Sequence, residues 1–143
     1  MKTTGFFLVL EGPEGAGKST LGAGLATRMR AGGVDPVLVR EPGGTVAAES
    51  MRALLLDAHG PLDPRSELLY LATARSSLVD EVITPALAAG RVVMSDRFDL
   101  STMAYQIGGR GLDAVMVEQV NRCATKGLRP DLTLVLDLWP ELG

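Results

Sequence analysis

The residues Gly12-Pro13-Glu14-Gly15-Ala16-Gly17-Lys18-Ser19-Thr20 follow the pattern G-x-x-x-x-G-K-[ST]. That spacing cradles phosphate. Glycines let the backbone curl so that successive N–H groups point inward as an anion-binding nest. A helix start behind them adds unsatisfied N–H groups and the positive end of a dipole. Lys18 is placed to reach β- and γ-phosphates, and the Ser19 hydroxyl to hold Mg²⁺. Glu14 is unusual here, because an acid opposes phosphate binding. Its carboxylate makes sense if it addresses another group, such as a sugar hydroxyl.

Further candidates lie downstream. Asp96 ends an apolar run and is followed by Arg97. An acid at that place organises magnesium in P-loop enzymes; the plainer role is a helix cap. Arg97 suits a second phosphate, since a guanidinium binds phosphate oxygens in pairs. Spacing alone leaves Arg52 and Arg75 as exposed helix arginines as readily as ligands, because exposed Arg is common. Tyr105 reads more readily as core than as a ligand contact.

These residues need elements to position them. Phe6 to Leu10 is a short apolar run bounded by Gly5 and Gly12, and reads as a buried strand. Leu21, Leu25, Ala26 and Met29 recur at helical spacing, which predicts a helix from Lys18 to about Ala31, stopped by Gly32-Gly33. Pro36 to Arg40 reads as a second strand, broken by Glu41-Pro42-Gly43-Gly44-Thr45. Thr45 caps a helix to about Leu56 with a stripe of Ala48, Met51, Leu54 and Leu55. A long helix follows from Arg65 to Ala89, with Leu68, Leu71, Ala72, Leu78, Val79, Val82 and Ile83 as its stripe and Pro85 kinking its last turn. Val92 to Ser95 is a third strand. A short helix through Met103-Ala104-Tyr105, a loop at Gly108-Gly109-Arg110-Gly111, and a helix with a stripe of Leu112, Val115, Met116, Val120 and Cys123 lead to a fourth strand at Leu132 to Leu136. Strands alternating with helices predict an α/β fold, a doubly wound parallel sheet. Such sheets bind ligands at the carboxyl ends of their strands. The glycine loop, Glu41 and Asp96-Arg97 all fall there.

Composition fits one domain over residues 1–143. Of the 143 residues, 46% are hydrophobic and 22% charged, which excludes a disordered chain. The net charge of −3 gives no footprint for a nucleic acid polymer. Cys123 and His59 are each alone, so no disulfide framework or Cys/His metal site is predicted. Cys123 reads as a core residue and His59 as a loop residue. No stretch is long and apolar enough for a membrane span, and Met1 to Gly5 leaves no room for a signal peptide, so a cytoplasmic setting is expected.

The motifs together resemble the thymidylate kinase family, of the bacterial type. They are Glu11 to Thr20, Arg40-Glu41-Pro42-Gly43-Gly44-Thr45, Ala74-Arg75, Asp96-Arg97-Phe98-Asp99-Leu100-Ser101, Ala104-Tyr105-Gln106, Gly109-Arg110-Gly111 and Arg129-Pro130-Asp131-Leu132-Thr133. The resemblance covers essentially the whole chain. It implies a P-loop nucleoside monophosphate kinase that transfers the γ-phosphoryl of ATP to dTMP with Mg²⁺, giving dTDP, and that pairs as a homodimer. By position it implies that Lys18 and the loop residues hold ATP, and that Ser19 and Asp96 hold the metal. Glu14 would lie near the sugar 3′-hydroxyl, and Arg97 and Arg52 would reach the dTMP phosphate. Arg75 would read the thymine edge, Tyr105 would lie under the deoxyribose, and Glu41, Thr102 and Gln106 would complete the acceptor site. Lys18, Arg97 and Glu14 are the expected catalytic residues.

Two departures stand out. Leu71 occupies the place of a Phe that stacks on the thymine ring; Leu keeps the pocket apolar but has no π face. Family members also continue beyond Trp139-Pro140-Glu141-Leu142-Gly143 into an arginine-rich lid, a last strand, a last helix and an adenine-binding loop. The resemblance therefore implies a domain incomplete at its C-terminus, able to bind dTMP but poor at turnover. A kinase of the same fold acting on another nucleotide or nucleoside remains open, as does a fragment that only binds nucleotide or dimerises. A GTPase switch does not fit: Asn-Lys-x-Asp is absent, and the acid runs Asp96-Arg97-Phe98-Asp99 rather than Asp-x-x-Gly.

Overall fold

The computed structural model describes residues 5–57, 60–139 and 141. The expectations for residues 1–4 and for His59 lie outside the described residues.

The strand β1, Phe6–Glu11, runs through the middle of the fold. Side chains alternate across a strand, and here both faces are covered. Phe7 and Val9 pack with Leu78, Val79, Ile83, Leu87, Val93 and Phe98 on one side. Leu8 and Leu10 pack with Met94 on the other, against half-buried Leu21, Leu25, Met29 and Leu134. This is why the strand reads as an unbroken apolar run rather than an alternating one. Two further strands, β2 (Val37–Arg40) and β3 (Val92–Asp96), lie to one side of it, and β4 (Leu132–Val135) to the other. All pairings are parallel, in the order β2-β3-β1-β4. Parallel neighbours need crossovers, and these are helical: α1 (Lys18–Ala31), α2 (Val46–Leu56), α3 (Pro64–Leu78), α4 (Thr84–Ala88), α5 (Asp99–Thr102) and α6 (Ala114–Thr125). The expected doubly wound parallel sheet is the fold observed.

Register decides where the chemistry falls. Leu10 and Arg40 both stand level with Asp96 on β3. The three segments that follow, Glu11-Gly12, Arg97-Phe98 and Glu41-Pro42, therefore leave the same edge of the sheet. At the opposite end the Asp131 carboxylate accepts from the Phe7 N–H at 2.7 Å, and the Asp131 N–H donates to the Phe7 carbonyl at 2.9 Å. That side chain closes the β1–β4 pair where the ladder begins.

Helix boundaries follow local chemistry. Thr45 accepts from the Ala48 N–H at the start of α2, and Asp63 accepts from the Arg65 and Ser66 N–H groups at the start of α3. The long helix expected from Arg65 to Ala89 is not uniform. Between α3 and α4, Val79–Ile83 forms a π turn. Pro85 lies just beyond it, has no N–H for the Glu81 carbonyl and crowds it. The strain expected in the last turn is thus taken up one turn earlier. A second π segment, Met103–Gly109, continues α5, so Gly108 and Gly109 are helical rather than loop.

Three expected core positions are corrected in the packing. Cys123 is exposed, not core. The buried face of α6 is Val117, Asn121, Ala124 and Thr125, while Val115 is outward. The stripe that includes Asn121 has polar members because it meets Arg75 of α3, so an apolar count misses it. Leu54 on α2 is likewise outward.

The Phe7 and Phe98 rings meet edge to face, 5.0 Å between centroids at 84°. Replacing Phe7 by Ala removes this contact and opens a cavity at the sheet centre, and should cost about 3–5 kcal/mol. Urea unfolding of the variant measures it; a loss under 1 kcal/mol would show that this face of the sheet is not close-packed.

Candidate active site

The carboxyl edge of the sheet opens into one cleft of about 1130 Å³. Its lining holds Pro13, Glu14, Gly15, Gly17, Lys18, Ser19 and Thr20 from the glycine loop and α1, and Glu41, Arg52, Leu71, Arg75, Asp96, Arg97, Thr102, Tyr105 and Gln106 from the rest of the chain. Of the site residues expected from the sequence, Gly12 and Ala16 stand outside the lining. Gly12 shapes the loop: its φ is +142°, and a Cβ there would stand 2.4 Å from the Leu136 carbonyl oxygen.

The loop folds over its own lysine. The Lys18 ammonium donates to the Gly12 and Pro13 carbonyls at 2.8 and 2.7 Å. Burial, with the Arg97 charge behind it, holds this ammonium below the ordinary lysine range. Ser19 donates to Asp96 Oδ2 at 3.3 Å. Two hard oxygen donors therefore sit together at the start of α1. Among the described residues no cluster of three or more Asp, Glu, His or Cys could hold a metal. An ion at Ser19 and Asp96 would complete its shell with phosphate and water oxygens, which suits Mg²⁺.

Three cations of the cleft have only neutral partners. Lys18 meets carbonyls, Arg52 donates to the Pro42 carbonyl at 3.1 Å, and Arg97 donates to the Ser101 hydroxyl at 3.1 Å. None lies within salt-bridge distance of a carboxylate among the described residues. Each is free to take an anion without breaking an ion pair.

Arg75 is different, and the exposed-arginine reading of it is corrected. It is 3% exposed. Its Nε and Nη2 donate to Glu41 Oε2, its Nη1 to Thr102 Oγ1 at 2.9 Å and Asn121 Oδ1 at 2.6 Å, and its Nη2 also to the Phe98 carbonyl at 3.0 Å. All five N–H groups are engaged. The guanidinium also lies over the Phe98 ring, 5.3 Å from its centroid. Burial pushes the Glu41 carboxyl up, against the pull of the Arg75 charge. Tyr105, read as core, is 49% exposed and lies under Arg97, its ring centroid 5.5 Å from the guanidinium carbon.

Sequence reasoning missed Glu11. This residue ends β1, is 5% exposed, and accepts from the Phe98 N–H at 2.9 Å, the Ser101 N–H at 3.2 Å and the Ser101 hydroxyl at 2.6 Å. Arg97, just before, has a φ of +75°, which costs a residue with a Cβ. It is held there by its N–H to the Leu10 carbonyl, by Ser95 donating to its carbonyl at 2.7 Å, and by Glu11 on the next residue. The signal was available: a carboxylate closing an apolar strand needs donors. Asn121, polar on a buried helix face, carried the same kind of signal.

Glu11→Gln keeps the size and removes the charge from these bonds. It should destabilise the protein by about 1–2 kcal/mol in urea titration. Unchanged stability would show that the carboxylate does not hold the Arg97 turn.

Comparison with known proteins agrees with this fold. The thymidylate kinase family model matches residues 10–143. The chain is 53% identical over 141 residues to the thymidylate kinase of Ectopseudomonas mendocina, covering 98% of this chain and 67% of that protein. It is 54% identical over 138 residues to the thymidylate kinase of Synechococcus sp. (strain JA-3-3Ab), covering 96% and 67%. A crystal structure of the Ehrlichia chaffeensis thymidylate kinase superposes with a TM-score of 0.88 at 39% identity, covering 96% of this chain and 78% of that one. The chain thus spans about 67% of the length of these curated relatives. It belongs to the thymidylate kinase family, which phosphorylates dTMP to dTDP.

Proposed function

We propose that this cleft binds ATP at the glycine loop and dTMP against Arg52, Arg75, Arg97, Thr102, Tyr105 and Gln106. The observation that carries the reading is the set of three cations, Lys18, Arg52 and Arg97, that line one cleft without carboxylate partners among the described residues. Phosphoryl transfer needs little covalent chemistry from the protein; it needs positioning and positive charge where charge is shared between oxygens. Lys18 and the loop N–H groups take the triphosphate. Arg97 and Arg52 take the acceptor phosphate, with Arg97 aimed by its fixed backbone turn. A dTMP phosphate oxygen serves as nucleophile without a strong general base. Glu14 lines the cleft beside the loop and accepts from a sugar hydroxyl. Ser19 and Asp96 hold Mg²⁺, which supplies charge to the phosphate oxygens when bound.

The pyrimidine lies toward Leu71, Thr102 and Gln106. The Arg75 N–H groups there already have acceptors, so a base oxygen shares one of them. Gln106 is 1% exposed and its Oε1 has no partner among the described residues. A buried acceptor without a donor is costly, and a pyrimidine N–H supplies the donor. The exposed Tyr105 ring supports the deoxyribose and disfavours a 2′-hydroxyl.

We also infer a cytoplasmic homodimer. The pairing is supported by Leu54, Leu69 and Val115, large apolar side chains left outward on α2, α3 and α6. No described helix is long and apolar enough to cross a membrane.

Calorimetric titration of dTMP, then of its ribose counterpart, into the folded chain tests the acceptor site. The deoxy form should bind at least about tenfold more tightly. A folded sample that binds neither overturns the assignment. The ATP site has its own test in pH. Because burial and Arg97 hold the Lys18 ammonium low, an added triphosphate raises its affinity for protons. At alkaline pH, ATP binding should therefore take up protons, and Lys18→Met should abolish the uptake. Calorimetry in buffers of different ionisation heat reads it directly.

A further inference from the structure

The Gln106 side chain has one hydrogen-bond partner among the described residues. Its Nε2 donates to Glu67 Oε1 at 2.7 Å, while its Oε1 is buried and unpartnered. Glu67 comes from the first turn of α3, where Asp63 caps the helix start. Its other oxygen accepts from Arg110 Nη2, and Arg110 Nε lies 3.4 Å from Oε1. Arg110 is the C-cap of the second π segment, and its own N–H is fixed to the Tyr105 carbonyl at 2.9 Å. The three residues thus form a chain: Arg110 to Glu67 to Gln106, with Glu67 and Gln106 both on the cleft wall.

The chemistry of that chain has one sense. A carboxylate paired with a guanidinium only accepts hydrogen bonds. The Gln106 amide must therefore turn its NH₂ to Glu67, which leaves its carbonyl oxygen as the group offered elsewhere. Nothing else in the side chain decides this, because the two ends of a glutamine amide have nearly the same shape.

We propose that Glu67, anchored by Arg110, is a specificity-determining positioning residue: it fixes the Gln106 amide so that the cleft presents an acceptor to the ring nitrogen of the base. This rests on the acceptor-site reading above. A base with an N–H at that position, as in thymine or uracil, is bound. A base whose ring nitrogen is itself an acceptor, as in cytosine, meets two lone pairs face to face and is rejected. The selection is made by a residue that need not touch the base.

The test is Glu67→Gln in the full chain, with dTMP, dUMP and dCMP titrated by calorimetry. A glutamine at position 67 can donate as well as accept, so the Gln106 amide is free to turn over. The parent should bind dTMP and dUMP and discriminate against dCMP. The variant should lose about tenfold or more of that discrimination, with dCMP binding gained rather than everything merely weakened. Glu67→Asp, which keeps an acceptor-only group, should retain the preference. A folded Glu67→Gln that still rejects dCMP overturns the inference and leaves the acceptor site standing. A parent that binds neither dTMP nor dUMP removes both. If the variant does not fold, the parent decides: the Gln106 side-chain NH₂ should exchange slowly with solvent in NMR spectra, assigned by its loss in Gln106→Met. Exchange as fast as in a free amide would overturn the proposal.

Discussion

Four separate pieces of chain meet on one guanidinium. Arg75 ties its own helix to the end of β2 through Glu41, to both ends of α5 through the Phe98 carbonyl and Thr102, and to α6 through Asn121. A buried ion pair is weak evidence for stability, since desolvation offsets much of the attraction. Its effect is on arrangement. Removing one partner leaves a buried charge uncompensated, at about 3–5 kcal/mol, so alternatives that separate these four segments are disfavoured. The cleft walls keep their spacing because this contact fixes it.

The second constraint is local. Arg97 sits in a left-handed backbone conformation that only its surroundings maintain. Three contacts hold it, from Leu10, Ser95 and Glu11. Two of the three come from β1, the strand that leads into the phosphate loop. The phosphate loop and the second anion-binding arginine are thereby set by the same strand end. This matters for a transfer that depends on charge at fixed separations.

Much of this was legible in the residues. The glycine loop, the four strands and the cap at Thr45 follow from local chemistry, and that chemistry is printed in short windows. Strand ends were also legible as the place for a site, because parallel sheets put ligands there. What could not be read was burial decided by partners far away in the chain. Arg75 looks like any helix arginine until Glu41, Thr102 and Asn121 are brought to it. Cys123 and Val115 look like core because apolar periodicity does not say which stripe wins when a neighbouring helix presents a charged group. Glu11 was hidden in plain view, since its donors lie about 90 residues on.

The widened turn at Val79–Ile83 has a consequence for how this chain can tolerate insertions and deletions. A turn of π-helix holds an extra residue compared with α-helix, and each α-helical residue advances the direction of the side chain by about 100°. The helix upstream aims Arg75 at the cleft; the helix downstream aims Leu87 at the sheet. The extra residue is the phase adjustment between the two. Deleting one residue within the wide turn would make the helix more regular and yet rotate α4 by roughly a quarter turn, carrying Leu87 out of the core. In this segment regularity and correct packing are opposed, so the chain tolerates a change of residue here more readily than a change of length.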